Sequence, residues 1–271
     1  MHARDRAHAG FADHDFLYRH MLEGLLERLE DVQRPLERVL LIGCPDRSAR
    51  TALEALGKTV TCCDPGERNA AANDGIRAEE DALPFDEGSF DLVFACGTLD
   101  GINDLPGALV QIRRLLRPDG LLLGACIGAG SLPRLKAALL EAEGDRPMPH
   151  IHPQIDVRAA GDLLARTGYA MPVADIENLT VRYSSALTLM HDLRGMGQGN
   201  IMAAGRRGTL VRETVARACA AFAQAADPDG KTGETFSVLY LSGWKPDSSQ
   251  PRPARRGSGR VSLADALKPK S

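Results

Sequence analysis

Residues 39–50 read VLLIGCPDRSAR: four apolar residues, a glycine, then a polar turn. A continuous apolar run of this length suits a strand buried on both faces, and a glycine directly after it suits a tight turn into a helix. A nucleotide site at such a turn carries further glycines, which let a phosphate approach the backbone. Here Pro45, Asp46 and Arg47 follow instead. The stretch predicts the first strand of a parallel α/β sheet, ending in a modified cofactor loop.

Working outward, strand and helix patterns alternate. Residues 48–56 read as a helix, 60–63 as a strand ending at Asp64, and 65–74 as a helix. A strand over 89–97 is followed by a helix over 104–116 with Pro106 in its first turn. A turn over 117–120, a strand over 121–127 and a helix over 132–143 complete the series. This order predicts a doubly wound, mostly parallel, Rossmann-like α/β sheet. Upstream, 15–30 has helical apolar spacing. Downstream, helices over 156–167, 184–194 and 209–226 and strands over 170–181 and 235–244 place a helical insertion before the last strand. The expected division is an N-terminal helical segment (1–37), a main domain (38–245), and a disordered basic tail (246–271) rich in Pro, Ser, Gly and Arg.

Apolar residues at 44% and charged residues at 25% allow a sizeable buried core. Aromatics at 4% and a net charge of −3 give no stacking platform or basic surface for nucleic acid. No apolar run reaches the roughly 20 residues of a membrane-spanning helix. The opening residues lack a signal-peptide core, so a cytoplasmic, bacterial-type protein is expected. Six cysteines without CxxC spacing read as buried thiols, and no metal site is expected from them.

In doubly wound sheets ligands bind beyond the carboxyl ends of the strands. That places Gly43, Cys44, Asp64, Glu79, Glu80 and Cys96 at the cofactor site. Asp64, about twenty residues past Gly43, is either a solvated turn acid before Pro65 or the acceptor for the ribose hydroxyls of an adenosine cofactor. His150, with His152 in the same PHIHP segment (149–153), is a candidate acid–base group near the open end of the site. Tyr183 and the 195–200 loop ending at Asn200 are candidates for a lid and its catalytic groups.

The segments LPFDEGSFDLV (83–93) and LLRPDGLLL (115–123) resemble the motifs of class I S-adenosylmethionine (SAM) methyltransferases. The second half adds GSLPRLKAALLEAE (130–143), PHIHP, GDLLARTGYAMPVADIENLTVRY (161–183) and LMHDLRGMGQGN (189–200), and then SGWKPDSSQPRPARRGSGRVSL (242–263). With RDRAHAGFADHDFL (4–17), these resemble, in order, the mitochondrial complex I assembly factor 5 family and its bacterial relatives. More distantly the chain is similar to malonyl-acyl-carrier-protein methyltransferases. The resemblance implies a class I methyltransferase fold and SAM as cofactor. It also implies modification of a side chain on a complex I subunit, by methylation or by the arginine hydroxylation credited to the family. A non-catalytic assembly factor and a small-molecule or carrier-protein methyltransferase are the alternatives. Three departures bear on the site. Leu41 replaces the acid two residues before the glycine, Pro45 and Arg47 replace the next two glycines, and Asp100-Gly101 replaces a His-Trp pair. Arg47 has either drifted there or been recruited to grip the cofactor's carboxylate.

Overall fold

The computed structural model describes residues 3–144, 150–198 and 211–251. Helix α1 (Ala3–Ala7) leads through a short 3-10 helix (His8–Asp13) into α2 (Phe16–Glu30). The alternating core follows as β1 (Arg38–Ile42), α3 (Ser48–Ala55), β2 (Thr59–Asp64), α4 (Glu67–Ala72), β3 (Ile76–Arg77) and β4 (Phe90–Cys96). After a 3-10 turn (Leu99–Gly101) come α5 (Leu105–Leu115), β5 (Leu116–Ile127), α6 (Pro133–Glu143), α7 (Val157–Arg166) and β6 (Ala170–Tyr183). Helices α8 (Ala186–Gly195) and α9 (Arg212–Gln224) precede β7 (Thr232–Trp244).

The seven strands form one sheet in the order β3-β2-β1-β4-β5-β7-β6, in which β7 alone runs antiparallel to its neighbours. The expected doubly wound, mostly parallel architecture is therefore the one observed. Strand β1 shows why: Val39 and Leu41 face one core cluster, while Leu40 and Ile42 face the other. Helices α2, α3, α6, α8 and α9 cover the first face, and α5 and α7 the second. Leu41, which stands where the family carries an acid, is fully buried among the apolar side chains.

Two expectations need correction. The turn over 117–120 lies inside β5, as an irregularity marked by Asp119 at φ 59° and a shift of register between Phe90 and Leu92. The supposed tail also begins as folded chain. Lys245 exchanges backbone hydrogen bonds with Asp119 and Gly120, and the buried Gln250 donates to Asp119 Oδ1 at 2.8 Å and to the Lys245 carbonyl at 2.9 Å. Residues 246–251 are thus anchored on the β5 irregularity; 252–271 lie outside the described residues.

Helix α6 starts without a local cap, from Leu132 at φ 60°. Its cap comes from the last strand: Glu234, fully buried, accepts from the Leu135 amide at 2.7 Å and the Arg134 amide at 3.3 Å. Glu234→Ala should lower the unfolding free energy by about 1–3 kcal/mol, the cost of leaving buried donors unpaired. Urea denaturation checks this, and an unchanged midpoint would show that water caps the helix as well.

Candidate active site at the carboxyl end of the sheet

Gly43 closes β1 at φ 81°, a conformation that favours glycine. A Cβ there would lie 2.4 Å from the Cys96 carbonyl, so the loop after β1 packs directly on the end of β4. Tyr18 of α2 donates its hydroxyl to the Gly43 carbonyl at 3.1 Å, which fixes the first face of the cup.

Asp64 is fully buried at the end of β2, and both its oxygens are engaged. Oδ2 accepts from the Cys44 amide at 3.0 Å and from Arg4 Nη1 at 3.2 Å. Oδ1 accepts from the Gly66 amide at 2.7 Å and Asn69 Nδ2 at 3.3 Å. The solvated-turn reading of Asp64 is overturned: the carboxylate is the hub of the strand ends. Arg4 also donates from Nη2 to the Gly97 carbonyl at 2.5 Å, bridging the ends of β2 and β4. Burial works to discharge Arg4, but Asp64, Glu80 and Asp100 together outweigh it and hold the guanidinium charged.

The adjacent glutamates separate. Glu80 is buried and accepts from the Thr98 hydroxyl; burial raises its pKa, and Arg4 opposes that rise. Glu79 is exposed and turns away from the cup. Cys44 and Cys96 are fully buried thiols. The hydrogen bond to Cys62, with burial, pushes the Cys44 pKa up; burial does the same for Cys96. Cys44 contributes its backbone amide, donated to Asp64, and neither thiol borders the cavity beside it. Arg47 is exposed and is engaged by the Ala72 carbonyl at 3.0 Å and Asp74 at 3.1 Å, and it does not border the cavity beside Arg4, so the recruited-grip reading is not supported.

Between α1, α2 and these strand ends lies a narrow, partly open cavity, bordered by Arg4, Tyr18, Pro45, Asn69 and Gly97. A second cavity of about 240 Å³ adjoins it, bordered by Asp100, Ile127, His150, His152, Met190 and Gln198 among others. Gln198 borders both and points to the Gly97 carbonyl at 3.5 Å. In the larger cavity Asp100 Oδ1 and His152 Nδ1 are buried with no hydrogen-bond partner. Burial pushes the Asp100 pKa up. His150 sits on the same cavity with Nε2 2.5 Å from Glu143 Oε1.

The structure therefore brings together Gly43, Cys44, Asp64, Glu80 and Cys96, and it sets His150 on the neighbouring cavity. Tyr183 lies at the end of β6, 3% exposed, and borders neither cavity. Asn200 lies outside the described residues. Sequence reasoning gave no role to Arg4, Tyr18, Asn69 or Thr98. The N-terminal RDRAHAG segment carried a family likeness, but no local pattern says that its arginine reaches across 60 residues to Asp64.

A Rossmann-like sheet of this order with a carboxylate at the end of β2 and a glycine at the end of β1 defines the class I methyltransferase type. The methyltransferase domain family profile matches residues 40–124, from β1 into β5. The YcgJ protein of Bacillus subtilis superposes with a TM-score of 0.58 at 16% identity, over 84% of this chain and 99% of that one. The chain is 37% identical to the mitochondrial arginine-hydroxylase NDUFAF5 of Danio rerio, over 94% of its own length and 83% of the relative's. It is 29% identical to the malonyl-[acyl-carrier protein] O-methyltransferase of Methylovorus sp. (strain MP688), covering 98% of this chain and 90% of that one. The chain belongs to the NDUFAF5 family and is an enzyme of the methyltransferase-like type.

Proposed function

We propose that this protein binds SAM at the Gly43–Asp64–Thr98 cup and modifies a cationic side chain, an arginine, of a partner protein during respiratory complex I assembly in the bacterial cytoplasm. The observation that carries the reading is Asp100: a carboxylate oxygen, buried and unpaired, on a cavity that adjoins the cup. Burying an acceptor without a partner is costly, and a guanidinium supplies both the missing donors and the opposite charge. The family name of the relatives agrees in substrate type. A malonyl carboxylate, as in the acyl-carrier relatives, would meet like charge at Asp100, so the carrier-protein reading is disfavoured.

The cup fits the cofactor in charge. Two carboxylates, Asp64 and Glu80, face the guanidinium of Arg4 there, and Asp100 adds its charge from the neighbouring cavity. SAM carries a sulfonium, an ammonium and one carboxylate, a net cation that such a group of acids accommodates. When bound, it supplies an electrophilic methyl group on cationic sulfur. Asp64 would accept from its ribose, and Gly43 and Cys44 would present backbone to it. All four hydrogen bonds to Asp64 are already made within the chain, so Arg4 must release Oδ2 for that contact to form. In the acceptor cavity Asp100 orients the cation, and His152 is the candidate proton acceptor beside it.

Calorimetric SAM titration followed by incubation with a candidate complex I subunit tests the reading. Mass spectrometry should find a methyl increment on an arginine of that subunit, with one S-adenosylhomocysteine released per methyl, or an oxygen increment when dioxygen and a reductant are also supplied. No SAM binding and no increment would leave a non-catalytic assembly factor. An increment on an acyl-carrier carboxylate would support the alternative methyltransferase.

A further inference from the structure

His14, His191 and Asp192 come from segments 177 residues apart in the sequence, and one potential ligand atom from each lies within 4.8 Å of the others. His14 follows the 3-10 helix of the N-terminal segment; His191 and Asp192 lie on α8. The His14 Nδ1 stands 2.8 Å from Asp192 Oδ1, and the two imidazoles meet edge to face with centroids 4.7 Å apart. His14 is 12% exposed and the Asp192 side chain 22%, whereas His191 is open to solvent.

The seat of His14 is built into the fold. A Cβ on Gly195 would lie 2.0 Å from the His14 ring, so the glycine on the next turn of α8 leaves the space that the imidazole fills. An ordinary ion pair explains His14 and Asp192 but not the second imidazole, which would be repelled if both rings were charged. Two neutral imidazoles and one carboxylate are instead a ligand set for a borderline divalent ion, with a net charge of −1 and positions left open to solvent.

We infer that His14, His191 and Asp192 bind one divalent first-row transition-metal ion of the zinc, cobalt or iron(II) kind. The ion clips the N-terminal segment to α8. Both elements cover the carboxyl end of the sheet: Arg4 of α1 and Gln198 just past α8 both reach the Gly97 carbonyl. The clip would therefore hold the cover of the cofactor cup in place, whichever cofactor the cup takes, so the inference stands apart from the reading of the cup itself.

Cobalt(II) and zinc are the probes, added to the metal-stripped, tag-free full chain. Cobalt should develop a visible ligand-field band at one equivalent, and zinc should compete it away. His191→Ala, an exposed position that should fold normally, and Asp192→Asn should each weaken cobalt binding by at least about tenfold. Hydrogen exchange at residues 3–14 should slow with zinc in the natural protein and not in either variant. Binding no tighter than millimolar, or equal binding by both variants, would overturn the site. Tight binding without slowed exchange at 3–14 would overturn the clip.

Discussion

Asp64→Ala should unfold this protein far more readily and abolish SAM binding in the same step. The substitution removes four hydrogen bonds, leaves the Cys44 and Gly66 amides without this acceptor, and takes from Arg4 its directly paired carboxylate while the Gly97 carbonyl remains. Breaking a buried pair by deleting one partner costs about 3–5 kcal/mol, because the other charge stays desolvated. Urea denaturation measures the first effect and calorimetry the second. Arg4→Met beside it, and the double variant, complete a cycle. The double variant should be less destabilised than the sum of the two, because Arg4 no longer needs a counter-charge. A loss of only about 1 kcal/mol for Asp64→Ala, the size of an exposed ion pair, would show that Arg4 is not held by this carboxylate.

Asp100→Asn should keep the fold and lower kcat/KM for an arginine acceptor by about 100- to 1000-fold. The magnitude is that of deleting one partner of a desolvated, hydrogen-bonded charge pair. SAM affinity should change far less, since Asp100 borders the neighbouring cavity and not the Gly43–Asp64 cup. The pH profile separates this role from a structural one. Burial raises the Asp100 pKa, and only the ionised carboxylate attracts a cation. Activity should therefore fall as pH drops through that raised value, giving an acid limb above the ordinary carboxylate range. In Asp100→Asn this limb should disappear. An unchanged limb, or unchanged kcat/KM, would remove Asp100 from substrate recognition.

The cavity beside Arg4 is narrow, and α1 packs against α4 and α8. The N-terminal segment that carries Arg4 is the element a cofactor seated on Asp64 would displace. Local opening of a short terminal helix is the low-cost motion in such a fold. Pro45 belongs to this arrangement too, as a wall of the narrow cavity. A glycine there would enlarge the space beside Arg4, whereas a glycine at Arg47 would remove surface contacts with the Ala72 carbonyl and Asp74. Of the two departures from the family loop, only Pro45 touches the cup.

What the sequence determined by itself was the sheet. Buried parallel strands are short apolar runs bounded by turn residues, and β1, β2, β4 and β5 each carry that local signature, so their order and type were legible. The helix at Asp104 was also legible, because its cap is local: the Asp104 side chain accepts from the Gly107 amide at 2.9 Å. Gly43 and Asp64 could be placed because strand ends converge at one rim of any doubly wound sheet. Only the tertiary structure could decide which of Glu79 and Glu80 faces inward, since one residue of rotation separates exposed from buried. It also decided that Arg4 belongs to the site, that Glu234 caps α6, and that Gln250 anchors the chain after β7. Those contacts join residues 60 to 131 positions apart. No local periodicity encodes them, because each partner is satisfied only by a group that the fold delivers.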